Sequence, residues 1–118
     1  MQEQEILDGN KLIEEFMGNT VYKIRNIYFV KTSEEGSIRL EHCKHHSSWD
    51  WLMPVVKQIG TIKVNGIELG TEITGSKDLY GFVVFGTHIY TEDTTMQEAV
   101  WKGVVKFIKW YNKYNKNK

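Results

Sequence analysis

Length, composition and charge describe one folded domain and exclude several classes of protein. The 118 residues are 41% hydrophobic and 25% charged with a single proline, which is typical of a globular domain and unlike a disordered chain. Fifteen basic and fifteen acidic residues cancel, so no net field draws the protein toward nucleic acid or anionic lipid. The lone Cys43 fits a reducing compartment. No segment resembles a secretory signal or a membrane span, and we predict one cytoplasmic domain over residues 1–118.

The N-terminal part of the chain predicts a helix followed by a hairpin. Apolar side chains at helical spacing predict the first helix over residues 8–17, and Gly18 is placed to end it in a left-handed conformation. Residues 21–31 are rich in β-branched and aromatic side chains and predict one strand. A polar turn at residues 34–37 then leads to a short strand over residues 38–42.

A second helix is predicted to begin near Ser47, because an acid three residues later, Asp50, forms a capping pattern with it. Pro54 lies inside the apolar repeat, so either the regular helix starts near Trp51 or it bends at the proline. Gly60 is expected to end the helix. The side chains predicted to point inward are Trp49, Leu52, Val55, Val56 and Ile59.

Strands dominate the next part of the chain. Asn65 and Gly66 stand between alternating apolar residues, which is a strong signal for a two-residue hairpin. After a turn at residues 75–78, we predict one strand over residues 79–90. Its centre, residues 82–85, is apolar at four consecutive positions, so we expect both faces of this strand to be covered.

The last helix is predicted to start at a capping box formed by Thr95 and Glu98, with Thr94 as an alternative cap, and to continue to about Tyr114. Its inward residues are Val100, Val104, Phe107, Ile108 and Tyr111, and its lysines at positions 102, 106, 109 and 113 lie on the opposite side. The element order is therefore α-β-β-α-β-β-β-α. This order predicts an α+β fold, a mostly antiparallel sheet of about five strands with three helices packed on it as an α/β/α sandwich.

Three segments resemble a known family. Residues 46–59 read HSSWDWLMPVVKQI and are similar to the central segment of small uncharacterised proteins from bacteriophages, Bacteroidetes genomes and prophages, the phage ABA sandwich group. Residues 10–18 (NKLIEEFMG) and residues 99–112 match the same layout. The resemblance implies an α/β/α sandwich and a phage or prophage origin, and it implies no activity and no functional residue.

The segment from Glu41 to His46 is the first candidate for chemistry, because imidazole and thiolate are preferred zinc ligands. Its ligands are too close in sequence to converge, and His88 is the only other histidine, so we expect no metal and no cofactor. Cys43 and His45 would project to one face of a strand and could act as nucleophile and base, but no oxyanion-stabilising turn or helix N-terminus accompanies them, and a buried or inert cysteine is favoured. The acid pairs at residues 14–15 and 34–35 are interpreted as solvated.

The C-terminal helix carries the best candidate interaction surface, in which cations alternate with aromatic rings. Lysine and aromatic side chains together suit phosphate and base, while a solvated helix face explains the same pattern. Four tryptophans on helices are also more than a core of this size can bury, and an exposed one can anchor a partner protein. The residues of this surface are Trp101, Lys102, Lys106, Lys109, Trp110, Lys113 and Tyr114.

We therefore expect a non-enzymatic accessory protein that acts by binding, to another protein or to a second copy of itself. Weak binding of nucleic acid or of a small anionic ligand through the C-terminal helix is the alternative. No convergent set of nucleophile, base and charge stabiliser is visible, which argues against an enzyme.

Overall fold

The computed structural model describes residues 1–32 and 36–116. Within these residues it contains three helices, one 3₁₀ turn and eight strands in three antiparallel sheets, so the α+β class is confirmed, with roughly the predicted number and order of strands. In chain order the elements are α1 (Glu3–Phe16), β1 (Thr20–Ile24), β2 (Ile27–Lys31), β3 (Ser37–Arg39), the 3₁₀ turn (Leu40–His42), α2 (Trp49–Gly60), β4 (Lys63–Val64), β5 (Ile67–Glu68), β6 (Thr71–Gly75), β7 (Tyr80–Val84), β8 (Tyr90–Asp93) and α3 (Met96–Lys116).

Helix α1 begins five residues earlier than predicted. Its N-cap, Gln2, makes no side-chain capping bond, so no cap signal in the sequence marked this start. Leu7, in the added part of the helix, packs against a small apolar cluster that contains Leu40. At the other end Gly18 adopts a φ of 90°, which confirms that a glycine ends the helix in the left-handed region.

The single strand predicted over residues 21–31 is wrong, because the chain turns back within it. Arg25 and Asn26 have φ angles of 50° and 67°, which is the backbone of a tight hairpin turn, and β1 and β2 pair with Ile24 opposite Ile27. Strand β2 then pairs with β3. Residues 34 and 35, which hold half of the predicted turn and the second acid pair, lie outside the described residues. Residues 40–42 form the 3₁₀ turn instead of extending the strand.

Helix α2 starts at Trp49, so the alternative start near Trp51 is wrong. Ser48 occupies the N-cap in an extended conformation without a side-chain capping bond, and the predicted pattern of Ser47 with Asp50 is therefore also wrong. Pro54 lies inside the helix. Proline has no N–H to donate to the carbonyl group of Asp50, four residues before it. Both residues are exposed, so this carbonyl group lies near solvent.

The Asn65-Gly66 hairpin is confirmed. These residues have φ angles of 54° and 81°, as a two-residue turn of this type requires, and they join β4 to β5 in a separate two-stranded sheet.

The strand predicted over residues 79–90 is two strands, β7 and β8, joined by a turn. Gly86 has a φ of 84°, and the Thr87 hydroxyl donates a 2.8 Å hydrogen bond to the carbonyl oxygen of Val84. The expected coverage of both faces is also wrong. Phe82 and Val84 are fully buried beneath α3, whereas Phe85 is 50% exposed, so the opposite face of the β6-β7-β8 sheet is open at this end.

Helix α3 lies at the centre of the molecule, between the β6-β7-β8 sheet on one side and α1 on the other. Its predicted capping box is supported by a 3.2 Å hydrogen bond from the Glu98 amide to the Thr95 hydroxyl. The predicted inward residues Val100, Val104, Phe107 and Ile108 are buried, and Tyr111 is half-buried. Over residues 1–32 and 36–116, no helix is both long enough and apolar enough to cross a membrane.

Candidate functional site

A buried polar cluster forms where α1 meets the segment that joins the 3₁₀ turn to α2. Asn10 and Glu14 are four residues apart on α1 and therefore share one face of the helix. Both side chains are buried. From the joining segment, the Cys43 thiol and the His45 ring contact Glu14, and the backbone carbonyl oxygen of Cys43 contacts the Asn10 amide. Helix α1 and this segment thus bring together four polar residues that lie in two distant parts of the sequence.

His45 lies between two hydrogen-bond acceptors. Its Nδ1 is 3.1 Å from the backbone carbonyl oxygen of Trp51, and its Nε2 is 2.8 Å from Oε1 of Glu14. A carbonyl oxygen only accepts, so Nδ1 carries a proton, and an ionised carboxylate makes Nε2 a donor as well. This geometry favours an imidazolium paired with a carboxylate, and each side chain is only 7% exposed.

Glu14 is the acceptor on which the cluster is built. Besides His45, the Asn19 amide donates to its Oε2 over 2.6 Å, and the Cys43 thiol donates to its Oε1 over 3.5 Å. Burial alone would raise the pKa of Glu14, but the hydrogen bonds from His45 and Asn19 and the charge of His45 hold it below its ordinary value of 4.5. Glu14 is therefore ionised at neutral pH.

Cys43 is a buried thiol and a poor nucleophile. Burial, followed by the charge and the hydrogen bond of Glu14, raises the pKa of its thiol to about 12, so almost no thiolate exists at neutral pH. The prediction of a buried cysteine is confirmed. Cys43 and His45 do lie on the same side of their segment, since both contact the same oxygen of Glu14.

Asn10 links this cluster to α3. The indole N–H of Trp101 can only donate, so the atom 2.9 Å from it is the amide oxygen of Asn10. The amide nitrogen of Asn10 then faces the carbonyl oxygen of Cys43 at 3.2 Å and Nδ1 of His46 at 3.1 Å. His46 accepts at Nδ1 and is neutral, in agreement with a pKa lowered by burial and by the charge of His45.

Glu14 and Asn10 were not predicted as members of this cluster. The prediction that Glu14 and Glu15 are both solvated is wrong for Glu14, which is buried, and right for Glu15, which is exposed. A signal was present, because Asn10 and Glu14 flank the buried Ile13 on the inner face of α1. The expectation of no metal considered residues 41–46 and His88 and did not include Glu14.

The predicted surface on α3 is divided by the structure. Trp101 is 1% exposed, so its ring does not form an exposed anchor. Lys102 pairs with Asp93 at 2.5 Å. A groove of about 480 Å³ between α1 and α3 is lined by Lys102, Lys106 and Lys109, and also by the carboxylates of Glu5 and Asp8, so the charges of this groove largely offset one another.

The C-terminal end of α3 is aromatic. Trp110 is half-buried and stacks on Tyr114, with ring centroids 5.4 Å apart, and it also contacts Phe107 at 5.8 Å. Lys113 is exposed beside these rings. The seven residues predicted as one surface therefore comprise a buried tryptophan, three lysines of a mixed-charge groove, a stacked aromatic pair and the exposed Lys113.

A second surface was not predicted. Among residues 1–32 and 36–116, strand β6 is an edge strand that pairs only with β7. Beside its first residue, Thr71, is a shallow depression of about 720 Å³, which is also lined by five residues of α2: the exposed Met53, Pro54 and Lys57, the half-buried Gly60 and the buried Val56. Because α2 packs against β6, the mostly apolar lining of this depression lies next to the free edge of the strand.

Comparisons with known proteins add no relative. No protein-family model matches the sequence, and neither the curated proteins nor the solved structures gave a match. The resemblance of residues 46–59 to the phage ABA sandwich group thus stays a prediction.

Proposed function

We propose that this protein is a non-enzymatic binding protein that holds an extended segment of a partner protein along the free edge of β6. The observation that supports the proposal is the position of this edge beside the apolar depression on α2. The likeness of residues 46–59 to phage ABA sandwich proteins adds a phage or prophage setting to the proposal.

The backbone of β6 offers hydrogen-bonding groups to such a segment. The amide of Phe85 donates to the carbonyl oxygen of Gly70 over 2.8 Å, and bonded pairs alternate along an antiparallel ladder. Glu72 and Thr74 therefore bond to β7, while the N–H and C=O groups of Thr71 and Ile73 point away from it. An extended peptide satisfies such groups by adding one strand to the sheet.

The depression on α2 supplies a place for a partner side chain. Met53 is 42% exposed although it is apolar, and Pro54 and Val56 continue the apolar lining. Exposed apolar surface of this kind next to free backbone groups favours an extended apolar segment as occupant. By contrast, the α3 groove sets acids beside its lysines, which weakens the case for nucleic acid.

The experiment is selection of peptides from a displayed random library, with affinities measured by fluorescence polarisation. We expect selected peptides to carry apolar side chains at alternate positions. Thr71→Pro removes an outward N–H at an edge position where proline is tolerated, and Thr71→Val keeps this N–H. Binding should fall at least about tenfold in Thr71→Pro and stay close to wild type in Thr71→Val.

A second pair of variants tests the depression. Met53→Asp places a charge in the apolar lining and should abolish binding, while Met96→Asp changes a similarly exposed methionine, 38% accessible at the start of α3, and should not. Peptide binding that is equal in wild type, Thr71→Pro and Met53→Asp would refute the proposal. So would a dimer that dissociates in Thr71→Pro, because the edge would then belong to a second copy of the chain.

A further inference from the structure

The geometry points to a binding site for a divalent transition metal, best suited to zinc, formed by Glu14, Cys43 and His45. Its ligands do not belong to the β6 edge or to the depression on α2, although Pro54 lines both that depression and the cavity beside the ligands, and the inference does not rest on the proposed function. The three ligand atoms lie within 4.8 Å of one another, and all three residues are buried.

The spacing of the ligand atoms is close to what the metal needs. A tetrahedral zinc ion with usual bond lengths separates its sulfur, nitrogen and oxygen ligands by about 3.3–3.6 Å. Sγ of Cys43 is 3.5 Å from Oε1 of Glu14, and Nε2 of His45 is 2.8 Å from the same oxygen. To bind the ion, the second distance has to open by about half an ångström. Sγ and Nε2, which lie within 4.8 Å of each other, have to stand about 3.5 Å apart, and small rotations of the side chains provide shifts of this size.

The groups around the ligands have the arrangement of a metal site. A metal-binding histidine usually donates its other ring N–H to a carbonyl or carboxylate, which fixes the tautomer. Nδ1 of His45 does so to the backbone of Trp51, and this leaves Nε2 for the metal. Ligating carboxylates are likewise held by hydrogen bonds, and Asn19 holds the second oxygen of Glu14.

The structure also offers a route by which the metal ion can enter and room for a fourth ligand. A cavity of about 290 Å³ is lined by Glu14, His45, Asn19, Asp50 and Trp51, among others, so it reaches two of the three ligands from the outside. A water molecule in this cavity can complete the tetrahedron, as at sites with three protein ligands. Thiolate together with imidazole suits zinc better than it suits magnesium or calcium.

Metal binding leaves the buried charge unchanged. Without metal, the thiol is neutral and the Glu14–His45 pair sums to zero. The ion displaces the thiol proton of Cys43 and the proton held between Glu14 and His45, and both protons go to solvent. One divalent cation then faces a thiolate, a carboxylate and a neutral imidazole, so the site is again neutral and no uncompensated charge is buried.

Cobalt(II) is the probe, because it occupies zinc sites and shows a thiolate-to-metal charge-transfer band when a cysteine binds it. We titrate untagged protein with cobalt, follow this band, and then displace the cobalt with zinc. One equivalent of cobalt should produce the band, and one equivalent of zinc should remove it. Zinc should also raise the melting temperature of the wild-type protein, since it binds the folded state.

Cys43→Ser keeps a hydroxyl donor for Glu14 but removes the sulfur, and it should lose the charge-transfer band and the zinc-dependent rise in melting temperature. His42→Ala is the control, because His42 is the exposed last residue of the 3₁₀ turn, next to Cys43, and is not one of the three ligands; it should match wild type. Folded wild-type protein that shows no band at cobalt concentrations well above its own would overturn the site. A band that persists in Cys43→Ser would do the same.

Discussion

Two regions of the molecule are held together by different kinds of interaction. Around α3, the core consists of apolar side chains packed against the β6-β7-β8 sheet and α1, and Phe82, Val104 and Phe107 are fully buried there. Where α1 meets residues 43–46, the buried groups are polar, and Glu14 accepts hydrogen bonds from three side chains. Hydrophobic burial is non-directional, whereas the second region depends on particular partners at particular distances.

This difference predicts how each region responds to substitution. An apolar contact removed from a core is partly compensated by relaxation of its neighbours. A buried acceptor removed from a hydrogen-bonded cluster leaves every donor around it unsatisfied. We therefore expect the largest loss on removing the acceptor of the polar cluster, a smaller loss on overpacking one close contact of α3, and the smallest at the partly exposed pair of Lys102 and Asp93.

Glu14→Ala is expected to have the largest effect. It leaves the His45 imidazole, the Cys43 thiol and the Asn19 amide without their shared acceptor, and breaking a buried charge pair in this way costs about 3–5 kcal/mol. Urea denaturation followed by tryptophan fluorescence measures the loss. Glu14→Gln, which retains one oxygen acceptor, should be destabilised less, and a loss below about 1 kcal/mol for Glu14→Ala would contradict the picture.

Wild type and Glu14→Ala should also differ in how their stability depends on pH. Because the pKa of Glu14 in the folded protein lies below its ordinary value of 4.5, the unfolded chain binds the proton more readily. The stability that Glu14 contributes is thus fully present above the ordinary value and is lost as the pH falls through the folded pKa. The difference in unfolding free energy between wild type and Glu14→Ala should therefore shrink as the pH falls below about 4.5.

The apolar half of this comparison could be predicted from the sequence, because a helix repeats its inward positions at fixed spacing. The inward faces of α2 and α3 follow such repeats, and Val56 and Val104 are buried as predicted. The Asn65-Gly66 turn was predictable for a similar reason, since it is coded by two adjacent residues.

The polar cluster could not be predicted in this way. Its members, Glu14, Cys43 and His45, are brought together only by the packing of α1 on the segment that precedes α2, and no local pattern records that contact. The Arg25-Asn26 turn was missed for another reason, because it interrupts a continuous run of strand-forming residues without a glycine or proline. Phe85 was misplaced because the strand ends at Val84, one residue before it.

Gly103→Ala tests the close contact between α3 and β7 and should have an intermediate effect. A Cβ atom at this position would lie 2.3 Å from a ring carbon of Phe82 and 2.7 Å from the Thr91 hydroxyl, so either the sheet or the helix must shift. Overpacking of this kind costs about 1–3 kcal/mol, although alanine is otherwise favoured over glycine inside a helix by about 1 kcal/mol.

Gly60→Ala is the matched control for that substitution. Gly60 is the last residue of α2, and the nearest atom to an added Cβ is 3.9 Å away, an ordinary contact. This variant should be neutral or slightly stabilised, whereas Gly103→Ala should lower the melting temperature. Equal melting temperatures for the two variants would show that α3 does not pack on β7 as closely as described.

The smallest effect is expected at the pair formed by Lys102 and Asp93. The pKa of Asp93 is lowered chiefly by its hydrogen bond from Lys102, but the lysine side chain is 37% exposed, so water and salt screen the attraction. Lys102→Met and Asp93→Asn, measured singly and together, form a double-mutant cycle whose coupling should be below about 1 kcal/mol and should decrease with added salt. The two ion pairs each join a carboxylate directly to a cation and differ mainly in their contact with water. A coupling as large as the loss in Glu14→Ala would therefore mean that exposure to water does not set the strength of these pairs.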